Sequence, residues 1–255
     1  MKKNQKIVVG NWKMNPDTLA SARTIFLGIK KASAKNKKIL TVICPPFLFL
    51  TDLASRAGRS EKLSIGAQDV FFENSGAFTG ETGPIMLKNA GTEFVIVGHS
   101  ERRALGDTDY IVSKKVLTAI KAGFSVILCI GEKERDSNAT YLAFIKEQVK
   151  SCLDKINRPQ LKQIIITYEP VWAIGKKEAM SAHDLEQMVI FIRRVLADMY
   201  GAETAGSVPI LYGGSVTPEN TADLITTGKV AGLLVGRESR DPKSFSEILN
   251  IVDSL

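Results

Sequence analysis

Glu169 stands alone as a carboxylate at the end of an apolar run, Ile164-Ile165-Ile166, and is followed by Pro170 and the uncharged stretch Val171-Trp172-Ala173-Ile174-Gly175. Proline disfavours helical backbone in the residue before it, so Glu169 is expected as the extended last residue of a buried strand. Surface loops are usually polar. An apolar loop beside a lone carboxylate therefore reads as a lid that excludes water from a general base. The competing reading is a connection whose Trp172 fills a gap in the core.

Three other places carry groups that could act with it. His99 follows the apolar run Phe94–Gly98 and opens the segment Ser100-Glu101-Arg102-Arg103. A helix start disfavours an imidazolium, so a neutral His99 is expected, able to donate a hydrogen bond to a carbonyl or enediolate oxygen. A structural histidine is the alternative. Lys13 follows the first apolar run, either as a cation of the site or as surface charge. Gly213-Gly214-Ser215 and Gly236-Arg237 are turns whose backbone amides can converge on an anion, although connections of this kind need glycine anyway. Taken together, base, electrophile, cation and anion cradles describe proton abstraction beside a carbonyl on a phosphorylated compound. With no metal-type or nucleotide motif in the chain, no cofactor and no metal are expected. The other histidine, His183, falls in the first turn of a helix and reads as surface.

These groups need a scaffold that brings strand ends together. Candidate strands are Ile7–Asn11, Ile39–Cys44, Leu63–Ala67, Phe94–Gly98, Ser125–Ile130, Ile164–Tyr168, Pro209–Tyr212 and Gly232–Val235. Most are Val/Ile-rich and lack polar alternation, as parallel strands buried on both faces do. Segments with helical periodicity lie between them, with Asp17, Thr108, Ser137, Ser181, Thr217 and Ser244 as candidate starts. Eight strands alternating with helices predict an α/β fold, a closed (β/α)8 barrel, with residues 1–255 as one domain and its site at the carboxyl ends of the strands. A doubly wound open sheet is the alternative. It would carry a glycine-rich turn after the first strand, where Asn11-Trp12-Lys13-Met14-Asn15 stands instead.

At 255 residues with 44% hydrophobic and 24% charged side chains, the chain has ordinary globular composition. Its net charge of +7 is mostly spread, which argues against a nucleic-acid partner and fits attraction of a small anion. Three widely spaced cysteines, Cys44, Cys129 and Cys152, read as reduced thiols. No apolar run approaches membrane-spanning length, so the expected location is cytoplasmic with no membrane partner.

Six segments, in order along the chain, resemble the signatures of the triosephosphate isomerase family. They are Asn11–Asn15, Gly76-Ala77-Phe78-Thr79-Gly80-Glu81, Gly98–Arg103, Cys129-Ile130-Gly131-Glu132, Tyr168–Gly175 and Tyr212–Val216. The resemblance implies interconversion of dihydroxyacetone phosphate and glyceraldehyde 3-phosphate, a triose phosphate as small-molecule partner, and a homodimer. It implies Glu169 as the base, His99 as the polarising and proton-shuttling group, and Lys13 as the stabilising cation. Asn11 would position the substrate, and amides near Gly175, Ser215, Gly236 and Arg237 would hold its phosphate. Glu101 would organise the site from behind His99, and the loop around Thr79 would reach the partner subunit. A barrel aldolase forming an imine through Lys13 is the rival from another enzyme class.

The chain departs from the family pattern in three places. After Gly175 stands Lys176-Lys177-Glu178-Ala179-Met180, where a glycine and small residues are usual, which puts the far hinge of the lid in question. Arg237 stands where a second glycine is common. The segment Ala104-Leu105-Gly106-Asp107 is one residue short.

Overall fold

Each strand is buried on both sides because successive side chains enter two different cores. In β1 (Lys6–Asn11), Ile7 and Val9 face an inner cluster, while Val8 belongs to the layer between sheet and helices. The same parity runs through β5 (Ser125–Ile130) and β6 (Ile164–Tyr168): Ile127, Cys129 and Ile165 point inward, and Val126, Leu128, Ile164 and Ile166 point outward. Strict alternation of polar and apolar residues is therefore absent from the sequence.

The remaining strands are β2 (Ile39–Cys44), β3 (Leu63–Ala67), β4 (Phe94–Val97), β7 (Ile210–Tyr212) and β8 (Gly232–Val235). In the computed structural model, which describes residues 5–175 and 180–255, they close in sequence order into a single-domain barrel of parallel strands. Closure is made by β1 against β8, with Ile7 opposite Gly232 and Gly10 opposite Val235. The first and last strands meet closely at Gly232, where a Cβ would stand 1.8 Å from the Ile7 carbonyl oxygen. The doubly wound alternative is thus excluded.

Helices α1 (Leu19–Ser33), α2 (Leu50–Ala57), α3 (Pro84–Asn89), α4 (Ser100–Ala104), α5 (Asp109–Lys121), α6 (Thr140–Leu153), α7 (Ala182–Tyr200), α8 (Ala202–Ser207), α9 (Pro218–Thr226) and α10 (Pro242–Ser254) are packed around the barrel. They bury large side chains such as Phe26, Leu53 and Phe245 against it, each worth about 1.5–3 kcal/mol of transfer free energy. Caps decide where several of them start. Thr108 accepts from the Ile111 amide, and Ser181 accepts from the Asp184 amide. Thr217 precedes Pro218 at the start of α9, and its own amide donates to Asn220 Oδ1.

Three candidate starts are displaced. Thr18, not Asp17, caps α1, because its hydroxyl reaches the Ser21 amide. Asp136, rather than Ser137, accepts from the Thr140 amide at the head of α6. Asp241 caps α10 ahead of Ser244, with Pro242 in the first turn. Among the described residues, no helix is long and apolar enough to cross a membrane.

Candidate active site

The inward parity of β6 continues one residue past its end. Glu169, like Ile165, points into the mouth of the barrel, where it is 3% exposed. Its amide donates to the Ile130 carbonyl at 2.7 Å, continuing the β5–β6 pairing. Two glycines make room for it. A Cβ at Gly131 would lie 1.7 Å from the Glu169 carbonyl oxygen, and one at Gly213 would lie 2.8 Å from Glu169 Cγ. The turn after β7, whose sequence suggests an anion cradle, therefore also clears space for the carboxylate.

His99 sits just past β4 and caps α4. The Glu101 amide donates to His99 Nδ1 at 3.2 Å, so Nδ1 is the unprotonated nitrogen and the ring proton belongs on Nε2. That nitrogen lies 3.3 Å from Glu169 Oε1. Glu169 Oε2 in turn accepts from the Ser100 amide at 3.3 Å. The geometry thus holds a neutral imidazole whose donor side faces the carboxylate and the cavity.

Lys13 has left-handed backbone, with φ at 53°. Two neighbours hold that conformation. Asn11 Oδ1 accepts from the Lys13 amide at 3.0 Å, and Gln68 Nε2 donates to the Lys13 carbonyl at 2.8 Å and to the Cys44 carbonyl at 2.9 Å. The ammonium meets Glu101 Oε1 at 2.6 Å. Glu101 thus holds Lys13 with its side chain and His99 with its backbone. Gln68 follows β3, a strand end where the sequence marks no candidate; only its place in the ring of strand ends could have flagged it.

Asn11, Lys13, His99 and Glu169 line one cavity of about 220 Å³, together with Trp12, Ile174, Gly175, Gly213 to Thr217, and Gly236, Arg237, Glu238 and Arg240 after β8. Every residue expected as catalytic or substrate-binding is among the lining: Asn11, Lys13, His99, Glu169, Gly175, Ser215, Gly236 and Arg237. Glu101 lies behind Lys13 and His99. Thr79 lies apart, exposed in the segment after β3. Arg240, also in the lining, carries no mark in the sequence.

The near end of the segment expected as a lid is anchored by Glu132, which is 2% exposed and follows β5. Its Oε1 accepts from Tyr168 Oη at 2.7 Å, Trp172 Nε1 at 2.9 Å and Arg135 Nε at 3.0 Å. Burial, and then the neighbouring Glu132 charge, push the Tyr168 phenol far above its usual range, so it stays a donor. The far end is tied by the Met180 amide, which donates to Tyr212 Oη at 3.3 Å. Residues Lys176, Lys177, Glu178 and Ala179, which carry the departure at the second hinge, lie outside the described residues.

The family model "Triosephosphate isomerase" matches residues 6–252. A triosephosphate isomerase from Natranaerobius thermophilus is 40% identical over 247 residues, covering 96% of this chain and 95% of that one. One from Dehalococcoides mccartyi (strain ATCC BAA-2266 / KCTC 15142 / 195) is 41% identical over 246 residues, covering 96% of each chain. Another, from Moorella thermoacetica, is 40% identical over 247 residues, covering 96% of this chain and 97% of the relative. With the closed barrel and the ring of groups at its mouth, these matches establish that the chain belongs to the triosephosphate isomerase family.

Proposed function

We infer that the protein interconverts dihydroxyacetone phosphate and D-glyceraldehyde 3-phosphate, and that Glu169, His99 and Lys13 carry out the reaction. The observation behind these roles is the convergence of a buried carboxylate, an imidazole with its proton on the cavity side and an ammonium in one cavity. Glu169 takes a proton from the carbon beside the carbonyl. The electron pair left behind forms the enediolate double bond, and negative charge grows on the former carbonyl oxygen. His99 Nε2–H donates to that oxygen and passes protons between the two oxygens, while the Lys13 ammonium stabilises the charge. Glu169 returns its proton to the neighbouring carbon, which completes the isomerisation with no net gain or loss of atoms.

Asn11 orients the substrate and holds the Lys13 backbone. Amides at Gly175, Ser215, Gly236 and Arg237 hold the phosphate, the part of the substrate that does not react. An imine-forming aldolase is disfavoured, because Lys13, the one lysine lining the site among the described residues, is ion-paired as an ammonium with Glu101, whereas a Schiff-base lysine must be a free amine.

The functional unit is a homodimer. Apolar side chains from the segments after β1, β2 and β3 and from α3 are exposed in the single chain: Met14 is 91% exposed, Leu48 90%, Met86 59%, Ile85 50% and Phe78 43%. An uncovered apolar flank of this kind marks a protein interface, and it includes the loop that carries Thr79. Buried, unpaired cysteines fit a reducing cytoplasm. The experiment that tests the function is an isomerisation assay coupled to a dehydrogenase. Turnover of glyceraldehyde 3-phosphate with no metal and no cofactor beyond the nicotinamide of the coupling enzyme is expected; no turnover, or trapping of Lys13 by borohydride in the presence of substrate, overturns the reading.

A further inference from the structure

We propose that the guanidinium groups of Arg237 and Arg240 form a charged outer wall of the phosphate subsite, selective for doubly charged phosphate. This rests on the triose-phosphate reading and adds two side chains to it. Both arginines line the cavity that holds Glu169, His99, Ser215 and Gly236. They are the first and last residues of the one-turn 3-10 helix Arg237–Arg240. Side chains three apart on such a helix eclipse one another, so the two project from the same side of the turn.

The turn itself is fixed. The amide and hydroxyl of Ser239 both donate to the Gly236 carbonyl, at 3.1 and 2.6 Å, and Trp12 Nε1 donates to the Ser239 carbonyl at 3.0 Å. Ser239 and Trp12 are fully buried. The arginines are therefore presented by a rigid base, and little backbone order has to be created when an anion arrives.

The charges of the described residues leave both guanidiniums available. Glu238, between them, accepts from Ser244 Oγ at 2.6 Å, which draws its carboxylate toward the start of α10. Lys13 is occupied by Glu101. Among the described residues, neither Arg237 nor Arg240 has an ion-pair partner. A cradle of backbone amides alone is neutral and holds singly and doubly charged phosphate with little discrimination. Two guanidiniums beside it favour the dianion through charge as well as through hydrogen bonds. The phosphate is unchanged between substrate and enediolate, so contacts to it are equally strong in both. Such contacts lower KM and leave kcat nearly unchanged.

The test measures kcat, KM for glyceraldehyde 3-phosphate and the inhibition constant of inorganic phosphate in Arg237→Ala, Arg240→Leu, the double variant, and the double variant with lysine at both positions. Each single neutral substitution is expected to raise KM and the phosphate inhibition constant about tenfold, the effect typical of losing one charged hydrogen bond. The double variant should also lose most of the rise in KM that wild type shows between about 0.05 and 0.5 M salt. Lysine at both positions should restore most of the affinity, which separates lost charge from a collapsed turn. A double neutral variant with wild-type KM, phosphate inhibition and salt response overturns the proposal. If wild type does not isomerise triose phosphates, the functional reading fails, and calorimetric titration with inorganic phosphate still decides the arginines. Weaker phosphate binding in the double variant supports the wall, and equal binding removes it.

Discussion

Glu169 Cγ occupies the space that a side chain on Gly213 would need: a Cβ at Gly213 would stand 2.8 Å from it and 2.8 Å from Thr167 Cγ2. Neither neighbour is free to yield. Thr167 is fully buried in β6, and the Glu169 backbone is bonded across to β5. The Glu169 carboxylate thus takes its position partly from a residue with no chemistry of its own.

Gly213→Ala is accordingly expected to leave the barrel folded and to cut kcat by about 10²-fold, the loss that an ångström of misplacement brings. Circular dichroism and steady-state kinetics on one preparation check this. Unchanged kcat would mean that the carboxylate is positioned by something other than this gap.

Glu169→Asp shortens the base by one methylene without removing the charge. Turnover should fall by at least about 10²-fold, as for removal or misplacement of a general base, with the melting temperature nearly unchanged. Near wild-type turnover would sink the assignment of the base.

Glu132→Ala removes the acceptor shared by Tyr168, Trp172 and Arg135. Buried donors are left without a partner, at an expected cost of about 2–3 kcal/mol in denaturant unfolding. Trp172 should also change its emission. The only other tryptophan, Trp12, is fully buried and bonded to the Ser239 carbonyl rather than to Glu132, so the signal reports on Trp172. An unaltered spectrum would show that the lid does not depend on this anchor.

Arg23 and Arg56 bracket Asp52 and hold its carboxyl well below the usual 3.8, chiefly through the Arg23 hydrogen bonds and then the Arg56 one. A carboxyl with a depressed folded-state value adds stability above its unfolded value, and that stability is lost as pH falls toward the folded one. Wild type is therefore expected to lose more stability than Asp52→Asn between about pH 4 and pH 2, with the two melting curves converging in acid. Parallel curves across that window would show that the pair contributes nothing.

Sedimentation equilibrium should find a dimer. Replacing Met14 and Met86 by Lys should produce monomers, since two charges from each subunit would then have to be desolvated in an apolar contact. A wild-type monomer at micromolar concentration would refute the interface.

The strands are legible in the sequence to within a residue at each end, because burial on both faces leaves continuous Val/Ile runs. Helix starts are legible where one good acceptor precedes the helix, as at Thr108, Ser181 and Thr217. They slip where two stand close together, as with Asp17 and Thr18, since only the fold shows which oxygen reaches the free amide. Residues that line the cavity can be found by looking just past the end of each strand. Those that hold such residues in place cannot. Gly213 looks like part of a phosphate turn, Glu132 is only a letter in a signature, and Gln68 is unmarked, because space and hydrogen-bond partners belong to three dimensions.

Gln68 has a consequence for anyone who would move this chemistry elsewhere. Its amide joins the Lys13 carbonyl to that of Cys44, so the backbone of the cation is tied to the ends of the second and third strands. Transplanting Lys13, His99 and Glu169 onto another barrel would carry over the groups proposed to react and leave the lysine without the brace that keeps it in its left-handed turn. The heritable unit of this catalyst is larger than its set of reacting groups, and a redesign that omits Gln68 should be expected to bind its substrate loosely before it fails to turn it over.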